Sequence, residues 1–290
     1  MIESFLYEVS EEQTVTCRVC NHYCKIQEGK RGICGVRENK EGKLWALNYG
    51  YTIASAIDPI EKKPMYYFLS GTKTYSLATV GCNLSCAWCQ NYDISQSPKP
   101  NREIQGTYIS PEEHVDRALR FGCPSISYTY SEPTIFLEYA LDIMKLAKKK
   151  HLKNIWVTNG YMSKETLEMI LPYLDAANVD YKGPNDETYF KYCKASAKPI
   201  IENIKKMKEH GVHVEITTLL VPDINDSEDQ IRTIAKTISS ELGNAIPWHI
   251  TRFFPAWKMM DKYPTNIFTM ERAKRIGLEE GIKTIHLGNI

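Results

Sequence analysis

The chain has 290 residues, of which 36 are Lys or Arg and 35 are Asp or Glu, so its formal net charge is +1. With 43% hydrophobic and 24% charged residues, the composition is that of a globular protein and excludes a disordered, collagen-like or fibrous one. The near-neutral balance gives no overall attraction to nucleic acid or an anionic membrane, no apolar run approaches the roughly 20 residues of a spanning helix, and the N-terminus lacks a signal-peptide pattern. We therefore expect a cytoplasmic protein.

Residues 1–74 differ in composition from the rest of the chain and are predicted to form a small Cys-rich metal-binding domain. They contain four cysteines and little helical periodicity. Turn-rich runs lie at 28–32 and 39–43, and the apolar and aromatic stretch at 44–51 indicates a strand or hairpin. A domain that lacks a core of its own is typically stabilised by a metal or a similar cross-link.

Residues 75–290 are predicted to form one larger α/β domain, because short apolar runs alternate with amphipathic helical patterns. The predicted strands are 75–80, 125–130, 154–158, 175–181, 213–221, 246–252 and 282–287. The predicted helices are 111–121, 134–150, 163–171, 198–210, 226–241 and 269–280. This alternation indicates a parallel sheet with helices outside it, either a doubly wound sheet or a partial (β/α) barrel, and periodicity does not choose between them. In both, ligands bind at the carboxyl ends of the strands.

The nine cysteines are clustered in sequence, at Cys17, Cys20, Cys24 and Cys34 and again at Cys82, Cys86 and Cys89. Their odd number and tight spacing, in a chain that is neither small nor visibly secreted, favour metal ligands over disulfides. Cys123 and Cys193 have no companion close in sequence, and we interpret them as ordinary thiols.

Three of these cysteines follow the first predicted strand in the pattern Cys82-x3-Cys86-x2-Cys89. A closed zinc site normally has four ligands, so these three thiols would need a distant histidine to complete one. Three thiolates can also hold a four-iron cluster with one iron left open to an exogenous ligand. Such a cluster can be catalytic as well as electron-carrying, and the spacing favours it over the zinc loop.

This loop, with the aromatic Trp88 directly before its last cysteine, resembles the radical S-adenosylmethionine (radical SAM) superfamily. The resemblance implies a partial (β/α)6 barrel in which Cys82, Cys86 and Cys89 bind a [4Fe–4S] cluster whose unique iron is chelated by S-adenosylmethionine. It also implies the chemistry, in which reductive cleavage of S-adenosylmethionine gives a 5′-deoxyadenosyl radical that abstracts hydrogen from a substrate.

Residues at the ends of later strands extend the resemblance to the contacts of S-adenosylmethionine. Tyr130-Ser131-Glu132-Pro133 resembles the second-strand element that meets the methionyl amino group, although Ser131 stands where a glycine is usual. Two further segments resemble the elements of glycyl-radical-enzyme activases that surround the methionyl carboxylate and the ribose. The expected cofactor contacts are Trp88, Ser131, Glu132, Thr158, Asn159, Asp180, Lys182 and, as a ribose-contacting histidine, His249.

The match to activases is incomplete, and a narrower resemblance fits better. Val157 stands where activases often have an aspartate, and the fifth strand, 214–222, has no arginine. A closer resemblance is to the AmmeMemoRadiSam-system radical enzymes, which are related to pyruvate formate-lyase activases. It is carried by segments 17–24, 32–39, 128–134, 225–228 and 249–255. This group implies no settled substrate, so a small molecule and a protein both remain open.

The N-terminal pattern Cys17-x2-Cys20-x3-Cys24-x9-Cys34 supplies four thiols on a short stretch of chain. Four thiolates suit either a closed zinc site or a fully ligated, auxiliary [4Fe–4S] cluster. Zinc would stabilise a small domain, whereas a second cluster would suggest an electron relay or a substrate anchor. The spacing leaves both alternatives open.

The preferred hypothesis is a radical SAM enzyme that abstracts hydrogen from an unidentified substrate. One alternative is a glycyl-radical-enzyme activase, whose substrate is a glycine in a protein backbone. Another, from a different class, is a non-catalytic protein that uses its cysteines as zinc sites to bind a partner. The preferred hypothesis implies as partner a low-potential electron donor such as flavodoxin or ferredoxin, with no role for a membrane or for nucleic acid.

Overall fold

A large, mostly parallel sheet with helices outside it forms the centre of the protein. The computed structural model describes residues 1–10, 12–101 and 103–290. Among these residues the strands are β1 (Ile2–Glu3), β2 (Tyr7–Val9), β3 (Val15–Cys17), β4 (Lys25–Ile26), β5 (Arg37–Lys40), β6 (Lys43–Ala46), β7 (Tyr51–Thr52), β8 (Ala54–Pro59), β9 (Lys73–Ala78), β10 (Thr107–Tyr108), β11 (Ser125–Tyr128), β12 (Lys153–Thr158), β13 (Ala176–Asp180), β14 (His213–Leu220), β15 (Trp248–Arg252) and β16 (Ile285–Gly288). The α-helices are α1 (Tyr92–Ser95), α2 (Pro98–Asn101), α3 (Pro111–Arg120), α4 (Leu137–Lys149), α5 (Lys164–Ile170), α6 (Asp186–Cys193), α7 (Lys198–Glu209), α8 (Glu228–Lys236) and α9 (Ile267–Glu279). No helix in these ranges is both long and apolar enough to cross a membrane.

Seven strands of the large sheet, β9 and β11 to β16, run parallel and lie side by side in the order of the chain. A doubly wound sheet reverses its strand order at a switch point, whereas a (β/α) barrel does not, so this order identifies a barrel. In the described residues the edge strands β8 and β16 are not paired with each other, and the barrel is therefore partial. The fold implied by the resemblance is confirmed, and each parallel strand coincides with a predicted one.

The two faces of the barrel strands differ in the way that their sequence alternation requires. On β11, Tyr128 faces the helices, where its hydroxyl donates to Asn154 Oδ1 at 3.0 Å. On β12 and β13, Val157 and Asn178 face the interior and line a cavity. The helices outside begin at polar caps, as at α8, where Ser227 forms a capping box.

The hairpin formed by β8 and β9 was not foreseen. β8 pairs antiparallel with β9, so the boundary predicted after residue 74 falls inside a strand of the large sheet. The connecting residues 60–72, here called the plug, fill the amino-terminal end of the barrel. There the buried side chains of Ile60 and Met65 pack on inward-facing Ile155 and Ala176 of β12 and β13.

The N-terminal residues form two small antiparallel sheets, β1-β6-β5 and β2-β3-β4, which are tied to the barrel by a buried ion pair. Arg37 of β5 donates to both carboxylate oxygens of Glu138 on α4, at 2.9 and 2.7 Å, and each side chain is only 1% exposed. Ser4 donates to the same carboxylate at 2.8 Å. Burial acts to raise the pKa of Glu138, but the Arg37 guanidinium outweighs it and the pKa lies below its usual value.

We expect Glu138→Ala to lower the free energy of unfolding by about 3–5 kcal/mol, because it leaves the Arg37 guanidinium buried without its counter-charge. Urea denaturation of the purified chain measures this change. The matched control is Glu168→Ala, which removes a carboxylate from an exposed helical pair with Lys164 and should alter stability by no more than about 0.5 kcal/mol. Equal effects of the two substitutions would contradict this role for the buried pair.

Candidate active site

A cavity of about 460 Å³ opens at the carboxyl ends of β9 and β11 to β13, where barrel proteins bind their ligands. Its lining brings together residues from loops that are far apart in sequence. The sequence-predicted residues that line it are Cys82, Cys86, Trp88, Cys89, Ser131, Glu132, Thr158, Asn159, Asp180 and Lys182.

The three thiols predicted to hold a cluster lie on one loop after β9. Burial raises the pKa of the Cys82 and Cys89 thiols, and the largest cause of the raised pKa of Cys86 is a hydrogen bond with Cys193. The thiols are therefore protonated at neutral pH, and a bound metal would have to displace their protons. Among the described residues, no three or more His, Cys, Asp and Glu side chains are already arranged as a metal site.

Two neighbouring elements hold the cysteine loop, residues 82–89. The backbone N–H groups of Ser85 and Ala87 donate to carbonyls at the end of α6, at 3.1 and 3.0 Å. On the other side Lys99 donates to the Leu84 carbonyl at 2.8 Å and to the Ser85 hydroxyl at 2.9 Å. Sequence reasoning missed Lys99 and treated Cys193 as an isolated thiol, because both reach the loop only through the tertiary fold.

The carboxylate of Glu132 joins the ends of two strands. Its Oε1 accepts hydrogen bonds from the Thr134 hydroxyl at 2.6 Å and the Thr158 hydroxyl at 2.7 Å, and its Oε2 accepts from Asn159 N–H at 2.8 Å. Burial raises the pKa of Glu132, and these donors act in the opposite direction. Asn159 in turn donates through Nδ2 to Asn83 Oδ1 at 2.8 Å, which connects the carboxylate to the cysteine loop.

Asp180 and Lys182 form an ion pair on the wall of the same cavity. Lys182 Nζ lies 2.7 Å from Asp180 Oδ2. Burial acts to lower the pKa of Lys182, but the Asp180 carboxylate acts in the opposite direction and the pKa lies above its usual value. The ammonium is therefore charged and faces the cysteine loop.

Trp88 and Ser131 contribute to the wall mainly by packing and local hydrogen bonding. Trp88 is buried, and its ring lies 5.9 Å from that of Tyr192. The Ser131 hydroxyl donates to the Thr79 carbonyl at 2.7 Å, so the serine found in place of a glycine is accommodated by a partner.

His249 is the predicted cofactor contact that the structure does not bring to the described lining of the cavity. It lies on the inner face of β15, two residues before Thr251 and therefore closer to the plug. Thr251 does line the cavity. Its Nε2 lies 2.6 Å from Glu215 Oε2, and Glu215 also accepts from the backbone N–H groups of Tyr66 and Tyr67 in the plug. Burial acts to raise the pKa of Glu215, but its imidazole and backbone donors hold it at about 2.

Tyr130 lines the cavity in an unusual backbone conformation that sequence reasoning did not anticipate. Its φ is +63°, in the left-handed region, which costs a residue with a side chain about 1–2 kcal/mol. The phenol hydroxyl donates to Asp58, and Asn91 donates to the Tyr130 carbonyl at 2.9 Å. Strain of this kind is retained where the surroundings fix it, commonly at functional sites.

The N-terminal cysteines lie close to one another and to the cysteine loop. Cys17, Cys34 and Cys24 all act electrostatically on Cys20, and burial is the main cause that raises the pKa of Cys17, to about 12, and of Cys20. Gly81 at the start of the loop has φ +104°, and a Cβ there would lie 3.1 Å from the Cys34 carbonyl oxygen. This close approach packs the N-terminal residues directly on the loop.

Known proteins resemble this chain in sequence and in fold. A family model described as the Radical SAM superfamily matches residues 76–235. Uncharacterized protein MJ0808 of Methanocaldococcus jannaschii is 44% identical over 290 residues, which are 100% of this chain and 86% of that protein. The pyruvate formate-lyase-activating enzyme of Clostridium pasteurianum is 26% identical over 216 residues, 71% of this chain and 88% of that enzyme. A radical SAM methyltransferase from Sphaerobacter thermophilus shares the fold, with a TM-score of 0.58 and 15% identity over 76% of this chain and 67% of that structure.

We expect Glu132→Gln to weaken the hydrogen bonds that join the ends of β11 and β12. The amide nitrogen that replaces one carboxylate oxygen cannot accept the hydrogen bond which that oxygen accepts now. Losing such a bond to a charged, buried acceptor costs about 1–3 kcal/mol, which would speed exchange of the Asn159 amide hydrogen by about tenfold or more. Hydrogen exchange measured by mass spectrometry on peptides covering 156–162 tests this. Glu202→Gln, on the exposed side of α7, is the control, and unchanged protection in Glu132→Gln would contradict the role of the carboxylate.

Proposed function

The chain belongs to the radical SAM superfamily and is an enzyme, and on that premise we propose that it cleaves S-adenosylmethionine reductively and removes hydrogen from a substrate. When bound, a [4Fe–4S] cluster would supply the electron for this cleavage, and the 5′-deoxyadenosyl product would abstract the hydrogen. The observation that supports the proposal is that Cys82, Cys86 and Cys89 line one cavity together with Glu132 and Lys182. The family sets aside the non-catalytic zinc-binding alternative.

The residues around the cysteine loop fit an iron–sulfur cluster in chemistry as well as in number. Lys99 interacts electrostatically with Cys82, Cys86 and Cys89, so its ammonium would partly neutralise thiolates. Asn83 Nδ2 is buried beside Cys82 without a partner among the described residues. We propose that these three cysteines are the ligands and that this amide donates to the sulfur of the bound cluster.

The proposed roles in binding S-adenosylmethionine rest on hydrogen-bond acceptors and charged donors that the described residues do not use among themselves. Among the described residues, Glu132 Oε2 accepts one hydrogen bond, from Asn159, and so retains a lone pair for the methionyl amino group. Lys182 offers a charged ammonium for the methionyl carboxylate. The other proposed contacts remain Trp88, Ser131, Thr158, Asn159 and Asp180. His249 would affect the cofactor only indirectly, through the residues packed next to it.

The N-terminal cysteines are proposed to hold a second metal group, either zinc or an auxiliary [4Fe–4S] cluster. Four mutually interacting thiols fit both. Because the loop at Gly81 packs against the backbone of Cys34, a cluster here would lie beside the catalytic loop and could pass electrons to it. A low-potential carrier such as flavodoxin or ferredoxin is the proposed electron donor.

We expect Cys86→Ala to abolish formation of 5′-deoxyadenosine and to reduce bound iron by about four atoms per chain, because two thiolates cannot retain the cluster. Anaerobic purification, metal and sulfide analysis, and chromatography after addition of dithionite and S-adenosylmethionine measure both quantities. Cys123→Ala is the matched control, since Cys123 is buried away from the loop and should leave both unchanged. Reductive cleavage that persists in Cys86→Ala would refute the assignment.

The same metal analysis of the unsubstituted chain separates the two alternatives for the N-terminal site. About four irons and one zinc per chain would establish one catalytic cluster and a structural zinc. About eight irons would make the N-terminal thiols the ligands of a second cluster. Zinc without iron would refute both the cluster and the proposed chemistry.

A second candidate function is activation of a glycyl-radical enzyme, which the similarity to the pyruvate formate-lyase-activating enzyme of Clostridium pasteurianum favours. In that case, the reduced and metal-loaded chain should generate a glycyl radical on added pyruvate formate-lyase when S-adenosylmethionine is present. Electron paramagnetic resonance detects this radical directly. The Cys86→Ala variant is the negative control, and 5′-deoxyadenosine formation without any radical signal would count against this substrate.

A further inference from the structure

Two lysines and one aspartate lie at the inner end of the cavity, away from the cysteine loop. Asp58 of β8 is paired in register with Thr74, near the start of β9, whereas the cysteine loop follows the end of that strand. Lys62 and Lys63 come from the plug, and both line the cavity. They therefore lie below the strand ends at which the cofactor contacts are grouped.

The side chain of Lys63 is held in place although its charge is almost completely buried. It is 2% exposed, and its Nζ lies 2.6 Å from Asp58 Oδ2. The same ammonium lies 4.1 Å from the centroid of the Tyr130 ring, a distance typical of a cation–π contact. A carboxylate on one side and an aromatic face on the other thus fix where the ammonium points.

The charges at this inner end do not cancel. Lys62 Nζ lies 2.8 Å from Asp58 Oδ1. Two ammonium groups therefore share one carboxylate, which leaves a local excess of one positive charge. Burial acts to raise the pKa of Asp58, but the two lysines and the Tyr130 hydroxyl hold it well below its usual value, so the carboxylate is charged. An ammonium has three N–H donors, and Asp58 is the hydrogen-bond acceptor that the described residues offer to Lys63.

Tyr130 is held in this position at the expense of a disfavoured backbone conformation. Its φ of +63° is unusual for any residue other than glycine, and the hydrogen bond to Asp58 places its ring against Lys63. A structural ion pair between Asp58 and Lys63 would not require this arrangement. The strained tyrosine therefore helps to fix the position of the Lys63 ammonium in the cavity.

We propose that the inner end of the cavity binds an anionic group, a carboxylate or a phosphate, of a small-molecule substrate through Lys63, with Lys62 as the more exposed second cation. This proposal rests on the proposed function, because it assigns the substrate class of the same cavity. A buried ammonium with a free donor stabilises an anion far more strongly than an exposed one does, since water competes less. The plug fills the cavity floor, which favours a compact ligand over a folded protein segment.

Binding of two simple anions to the anaerobically purified full chain tests this proposal. Inorganic phosphate and succinate are titrated separately by calorimetry, and the one that binds identifies the preferred anion. We expect saturable binding that Lys63→Met weakens by about tenfold or more, through loss of a hydrogen bond to a charged group. Lys63→Arg keeps the positive charge and should retain most of the affinity, which separates loss of binding from loss of folding.

Two further variants locate the anion within the cavity. Lys164→Met removes an exposed lysine of α5 and should leave the affinity unchanged. Lys182→Met tests the alternative that the anion binds at the site proposed for the methionyl carboxylate, and it should weaken binding less than Lys63→Met does. The proposal is overturned if neither anion binds saturably, if Lys63→Met binds as well as the unsubstituted chain, or if Lys182→Met alone abolishes binding.

These titrations do not depend on radical chemistry, so the two proposals can fail separately. Anion binding through Lys63 together with unaffected cleavage of S-adenosylmethionine in Cys86→Ala would refute the proposed function but keep the anion site. Loss of cleavage in Cys86→Ala without anion binding would keep the function and refute the substrate class.

Discussion

Burying the carboxylate of Glu132 is strongly unfavourable unless donors surround it, and the ends of β11 and β12 supply those donors. The hydrogen bonds fix two strand ends relative to each other, and through Asn159 and Asn83 they extend to the cysteine loop. The positions of the thiols thus depend on a carboxylate that is not itself a proposed metal ligand. A cofactor amino group placed on the remaining lone pair would complete this network rather than disturb it.

The N-terminal residues support the loop from the other side. The ion pair between Arg37 and Glu138 anchors their small sheets on α4, and the Gly81 backbone meets the Cys34 carbonyl. His22 Nε2 also lies 2.8 Å from the Asn83 carbonyl. Because the loop lies between these residues and α6, a change in the packing of the N-terminal cysteines would also shift the thiols of the loop.

The sequence predicts the parallel strands and the amphipathic helices between them well, because short β-branched and aromatic runs alternate with helical periodicity, whereas the choice of a barrel came from the family resemblance. It misses β8, whose Ala54–Pro59 segment lacks such a run, and so places the domain boundary inside the sheet. The thiol loop and Glu132 are found from local motifs, whereas Lys99 and Cys193 reach the loop only through distant contacts. His249 was expected at the cofactor and instead lies two residues before Thr251, on the same inward face of β15, where Thr251 and not His249 lines the cavity. The left-handed backbone of Tyr130 was missed because the propensity of a tyrosine argues against it.

The plug between β8 and β9 has a kinetic consequence. Residues 60–72 fill the amino-terminal end of the barrel, so a ligand reaches the cavity from the carboxyl ends of the strands or from the open side between β8 and β16. A molecule held at the floor by Lys63 lies underneath whatever occupies the loop and the ends of β11 to β13. Where both ligands enter past the cysteine loop, the deeper one enters first and leaves last.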